Sequence, residues 1–118
     1  MTHPIYKHLD EVFTRTKPNR SGERVVRPNT YITKSYNGTI TVRLYATDIV
    51  RVSEVGVITL RHGGYLTNTT KDRIDWATNS KIKAFSKNKV FFIGGEPLFA
   101  PVEFLDGLNI DLNTGVVA

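Results

Sequence analysis

Cysteine is absent from this 118-residue chain. Disulfides, thiolate metal sites and cysteine nucleophiles are excluded together. No apolar run approaches the roughly 18 residues of a membrane span. The first turns of chain hold no apolar segment of the kind that forms a signal peptide. The expectation is a soluble protein that stays inside the cell. Catalytic signatures are missing as well: there is no Gly-x-Ser-x-Gly elbow, no His-Glu-x-x-His pair, and no glycine-rich loop running directly into a helix. His3, His8 and His62 stand far apart in sequence; no Asp or Glu lies near His62 at metal-ligand spacing, and His3 and His8 belong to a weakly ordered end. No catalytic residue, metal ligand or cofactor is therefore assigned, and the reading is non-enzymatic. Basic residues also stop at Lys89, beyond which only Glu96, Glu103, Asp106 and Asp111 carry charge.

What is present is a basic body. The formal charge is +5, and hydrophobic residues make up 40% of the chain, enough for one modest core. Lys7, Arg15, Lys17, Arg20, Arg24, Arg27 and Lys34 crowd the first third. Lys71, Arg73, Lys81, Lys83, Lys87 and Lys89 form a second group. Such asymmetry can steer a polyanion, hold the two ends of the chain together, or serve solubility alone.

The opening segment reads as a short helix after Pro4, with Ile5, Leu9 and Phe13 on one face. Residues 15–29 are polar, with two prolines, and read as a basic flexible arm with a brief extended stretch at Val25 and Val26. Then β signals dominate. "TYITKSY", "GTITVRLYAT", "DIVRVSE" and "GVITLRH" follow one another across short turns. Asn37-Gly38 suits a type I′ hairpin. Ile40, Val42 and Leu44 should face the core and Arg43 the water. Val50, Val52, Val57 and Leu60 extend the same apolar set.

Gly63-Gly64 lets the chain bend, and Thr69 or Thr70 can cap a helix of about two turns that ends near Asn79-Ser80. Ile74 and Trp76 should hold it to the sheet. "KIKAFSKNKVFFIGG" reads as a second hairpin turning at Lys87-Asn88, with Val90 to Ile93 as a buried strand. The prolines of "EPLFAPVEF" argue for an edge or irregular structure. A last strand or docked tail holds Leu108, Ile110 and Leu112. The pattern predicts an α+β fold: a small, mainly antiparallel β-sheet or partly open barrel, built as a meander, with one short central helix and an N-terminal helix. Residues 1–29 form the helix and arm, and residues 30–118 a single mainly-β domain.

The central run carries a resemblance. Ile40, Val42, Leu44, Tyr45, Thr47, Asp48, Ile49 and Val50 fit an "I-x-V-x-L-[HY]-x-T-D-I-V" pattern. Leu60, Gly63, Gly64, Tyr65, Thr67, Thr69, Thr70, Lys71, Arg73 and Ile74 fit "L-x-x-G-G-[WY]-x-T-x-T-T-K-x-R-I". Asp106-Gly107-Leu108 matches a late "DG[ML]" turn. Over residues 36–112 the chain resembles a group of small phage-encoded proteins. Asp75 stands where asparagine is more usual there, and Tyr65 where tryptophan is. The resemblance implies a phage or prophage origin, and with it a place in the host cytoplasm. It carries no activity over.

Three groups of side chains are candidate sites. Thr67, Thr69, Thr70, Lys71 and Arg73 are either an anion-binding corner at a helix N-terminus or a capped, solvated helix start. Lys81, Lys83, Lys87 and Lys89, with Phe85 on the same parity, could place cations around an exposed ring, as suits nucleic acid. Equally, they could keep the wet face of a hairpin soluble. Tyr65, Thr67 and Trp76 either wedge the sheet–helix joint or touch a partner. The reading ranked first is an accessory or regulatory phage protein binding a host or phage protein, self-association included. The alternative is a nucleic-acid-binding accessory protein using residues 81–89 and the arm.

Overall fold

The computed structural model describes residues 2–64 and 66–117. Among them are two helices and nine antiparallel strands in two open sheets. The α+β class and the mainly β character hold. The larger sheet does not close on itself, because β1 and β9 form its opposite edges.

Helix α1 (Pro4–Arg15) starts where the sequence suggests. Proline occupies the first turn, and the His3 Nδ1 accepts from the Ile5 amide at 3.1 Å. Ile5, Tyr6, Leu9 and Val12 are buried, and Phe13 packs beside them. The Tyr6 hydroxyl donates to the Gly38 carbonyl at 2.5 Å. The polar segment that follows carries β1 (Arg24–Arg27), which is hydrogen-bonded to β2 (Thr30–Lys34).

β2, β3 (Ile40–Leu44), β4 (Thr47–Val52) and β5 (Val57–Leu60) form the expected meander, and β9 (Leu108–Asp111) closes it beside β5. Ile40, Val42 and Leu44 are buried, while Arg43 lies half-exposed on the outer face, bonded to Glu23. Two details differ from expectation. The β2–β3 connection is no type I′ turn. Gly38 alone takes positive φ, its amide donates to the Ser35 carbonyl at 3.0 Å, and Ser35 donates to Thr39 at 2.8 Å. This is a type I turn closed by a glycine bulge, and Ser53–Gly56 repeats it between β4 and β5. A Cβ on Gly38 would collide with the Glu54 side chain, so the two turns lie side by side. In addition, Val57 is 36% exposed and Ile58 takes the core position, because the bulged turn sets β5 one residue out of the assumed phase. A shift in register between β3 and β4 lets Ile49 and Val50 both face inward.

Helix α2 (Asn68–Ala77) is capped by Thr67, not by Thr69 or Thr70: the Thr67 hydroxyl accepts from the Thr70 amide at 3.1 Å. At its far end the Thr78 hydroxyl donates to the Ile74 carbonyl at 2.8 Å and accepts from the Ile82 amide at 3.1 Å. This passes the chain directly into β6 (Ile82–Lys87). β6 pairs with β7 (Val90–Gly95), which pairs with the short β8 (Val102–Glu103). The hairpin turns at Asn88-Lys89, both at positive φ, one residue later than expected. Asparagine tolerates the left-handed region, and a two-residue turn here leaves Lys87 opposite Val90. Of the run Val90 to Ile93, only Ile93 is fully buried, and Val90 is 39% exposed. One apolar core joins both helices and both sheets, with Ile5, Leu9, Ile74, Ile82 and Ile93 all sealed from solvent. No helix among the described residues is long and apolar enough to cross a membrane.

Candidate functional site

The glycine bend and the start of α2 border a cleft of about 340 Å³ lined by Tyr45, Thr47, His62, Gly63 and the threonines at 67, 69 and 70. Both runs that carry the phage resemblance thus meet in one place. A Cβ at Gly63, itself at positive φ, would stand 2.9 Å from the Thr47 hydroxyl, so only glycine lets these segments touch. Asp106 fastens the bend from the far end of the chain. Its Oδ1 accepts from the His62 and Gly63 amides at 2.9 and 3.1 Å. Burial alone would raise this carboxyl, but the two amides, with His62 and Arg61 nearby, hold it below the usual aspartate value. The Gly64 amide donates to His62 Nδ1 at 2.9 Å, so Nε2 carries the ring proton and faces the Phe104 carbonyl at 3.2 Å. Phe91 and Phe104 present their faces or edges to the same ring at 5.1 and 4.8 Å.

Of the residues named as an anion corner, the three threonines line this cleft and the two cations do not. Arg73 turns to the β1–β2 turn, where its Nε donates to the Thr30 hydroxyl at 2.8 Å and its side chain is 12% exposed. Its charge meets Asp72. The Thr67 and Thr70 hydroxyls bond one another at 3.0 Å. Lys71 is half-buried and makes no ion pair among the described residues. Of the partner contacts, Tyr65 lies outside the described residues. Trp76 is half-buried, with the Arg27 guanidinium over its ring at 5.3 Å and the edge of His8 at 6.4 Å. Thr67 and Trp76 thus have structural work at the joint between helices and sheet.

The hairpin residues do share a surface. Ile82 and Ala84 point into the core, which sets the parity of β6, so Lys83, Phe85 and Lys87 all face water. The displaced turn leaves Phe85 36% exposed, because parity along β6 is fixed by those two apolar residues and not by the turn. Phe85 stacks on its cross-strand neighbour Phe92 with ring centroids 5.5 Å apart. Phe85 is also a ridge between two depressions. On one side a groove of about 590 Å³ is lined by Asn79, Ser80, Lys81, Lys83 and Gly94 to Glu96. On the other an apolar hollow of about 240 Å³ lies between Phe85, Phe92, Pro101 and the Lys87 stem.

Charge on this face is mixed. Lys83 meets Asp75 at 3.0 Å, and Lys81 approaches Glu96 at 3.8 Å. Lys87 and Lys89, at the tip, make no ion pair among the described residues. Glu103, exposed and opposite Phe92 in register, brings a carboxylate onto the same face. Sequence reasoning missed Phe92 and Glu103. The alternation of Ile82 and Ala84 could have revealed Phe92, since a fixed β6 parity fixes its hairpin mate. Nothing local signals Glu103, because β8 reaches β7 only through a long proline-containing loop.

Among the described residues no group of three histidines or carboxylates could hold a metal. No curated protein and no solved structure matches the chain. A family model described as Kyanoviridae Gp96 protein matches residues 14–111, a span that takes in the Gly-Gly bend, the threonine-lined cleft and the Phe85–Phe92 face. By that match over most of its length, the chain belongs to the Kyanoviridae Gp96 family of phage proteins.

Proposed function

We propose that this phage protein is a non-enzymatic accessory or regulatory factor that binds a host or phage protein in the host cytoplasm, and that the outer face of β6–β7–β8 is the contact. The observation that carries this is the stacked Phe85–Phe92 pair on the solvent side of a sheet, beside an apolar hollow. An aromatic centre inside a polar rim is the usual anatomy of a protein interface, and its energy concentrates in such anchors. The rim interleaves Lys81, Lys83 and Lys87 with Asp75, Glu96 and Glu103. Alternating signs suit a protein surface better than a continuous phosphate track.

The test compares wild type with Phe85→Ser/Phe92→Ser in affinity capture from infected host cells. The reading expects a saturable protein lost in the double variant, with unchanged circular dichroism. Equal capture by both forms would move the contact elsewhere. The nucleic-acid reading keeps one favourable observation: Lys87 and Lys89, which make no ion pair among the described residues, stand beside the exposed Phe85 ring. It expects short DNA or RNA to bind at low salt, weaken steeply as salt rises, and bind less to Lys87→Ala/Lys89→Ala. No binding at low salt would remove it.

A further inference from the structure

We propose that the protein this face receives is a second copy of the same chain, the two three-stranded sheets packing face to face about a two-fold axis parallel to β7. The inference rests on the reading of this face as a protein contact and names its occupant. Three features carry it.

The first is strand order. β7 is central, with β6 and β8 on either side. A two-fold axis running between the faces along β7 lays β7 over its own copy and β6 over β8 of the second copy. Such an arrangement is isologous, so any contact is made twice. Sheets packed this way sit roughly 10 Å apart, filled by the facing side chains.

The second is register. Phe85, Phe92 and Glu103 form one cross-strand row. Lys87 lies in the next outward-facing row toward the tip, with Val90, and Lys83 in the next toward the base, with Gly94. Under the two-fold operation Phe92 meets Phe92 of the second copy near the axis. Glu103 comes over the β6 row of Phe85, with Lys83 and Lys87 of the second copy two residues to either side. Two residues of strand are about 7 Å, within reach of a lysine side chain. Gly94, at the base of the central strand, is already covered by the Phe85 ring and Pro101.

The third is charge. Lys83 and Lys81 already have acidic neighbours within the chain. The exposed charges left without an ion pair on this strip, among the described residues, are of both signs: Lys87 and Lys89 against Glu103. A face with one sign would repel its own copy. A face with an apolar centre and unpaired charges of both signs is complementary to itself. A polyanion would instead have to pass Glu103.

Sedimentation velocity over a wide concentration range decides the matter. Wild type should pass from monomer to dimer as concentration rises. Phe92→Ser should stay monomeric. Lys87→Glu and Glu103→Lys should each weaken association by about tenfold, the scale of a favourable interfacial charge pair. The combined Lys87→Glu/Glu103→Lys protein should recover it, which no loss of folding could mimic. A wild type that remains monomeric, a dimer indifferent to Phe92→Ser, or a charge swap without recovery would each overturn the proposal. A monomeric wild type whose capture of another protein still depends on Phe85 and Phe92 would remove self-association and leave the protein-contact reading standing. If neither property depends on those rings, both readings fall.

Discussion

Asp106 lies 44 positions after His62, yet its carboxylate holds the amides of His62 and Gly63 and so keeps the glycine bend closed. A charged acceptor serving two amides is worth more than a neutral one. Asp106→Asn should therefore cost about 1 kcal/mol and speed amide exchange at His62 and Gly63. The carboxyl is held below its ordinary value in the folded state. The unfolded chain therefore takes up its proton first as pH falls. The stability Asp106 adds is complete above about pH 5 and fades through and below the ordinary aspartate value of about 4. Melting curves of wild type and Asp106→Asn should differ at neutral pH and converge in acid. A constant difference down to acid pH would mean that the carboxylate charge is not what matters. The Asp106-Gly107 pair reads as a turn in the sequence. Its grip on Gly63 does not, because no local pattern reports a hydrogen bond between segments so far apart.

Elements were the most legible scale, and their misreadings share a cause. The cap of helix α2 lies two residues before the first threonine that looked like it. All three threonines at 67, 69 and 70 could serve, and only the backbone entering from the bend selects Thr67. Thr67→Ala should destabilise the protein by about 1 kcal/mol and Thr67→Asp by much less, measured by urea unfolding; equal losses would show that the hydroxyl acts in packing and not as a cap. The second hairpin shows the same degeneracy. Lys87-Asn88 and Asn88-Lys89 are both acceptable turns, and pairing of β6 with β7 chooses the latter, putting Lys89 at φ 65°. A side chain there carries a cost of roughly 1 kcal/mol that glycine avoids. Lys89→Gly should raise the melting temperature, since Asn-Gly is the preferred pair for this turn. A fall would mean that the lysine stem packs against the hairpin.

At the scale of the whole molecule, α1 and the meander share one core: Leu9 is sealed from solvent in the same cluster as Ile40, Ile74 and Ile93. The N-terminal segment should unfold together with the sheets. Leu9→Ala should cost about 2–5 kcal/mol, and Trp76 fluorescence and far-ultraviolet circular dichroism should melt at one temperature, because Trp76 lies where α1, α2 and β1 meet. Two separate transitions would show that α1 docks independently. The same scale explains why the site was only half visible in the sequence. Lys83, Phe85 and Lys87 could be placed on one wet face by parity alone. The same parity carries across the hairpin to Phe92, but Pro101 and Glu103 could not be placed so, and with Glu103 and the Asp75–Lys83 pair the face changes from a basic strip to one of mixed sign.

By itself the sequence determined which residues face inward along β3 and β6, where the helices begin within a turn, and the phage kinship of the central run. These follow from periods of two and three to four residues and from side chains that act on their own backbone, all of them short-range. Only the tertiary structure decided which carboxylates stand among the lysines, where Arg73 spends its charge, and that Asp106 locks the bend at Gly63. Those contacts join segments tens of residues apart, and their geometry comes from strand order and sheet packing.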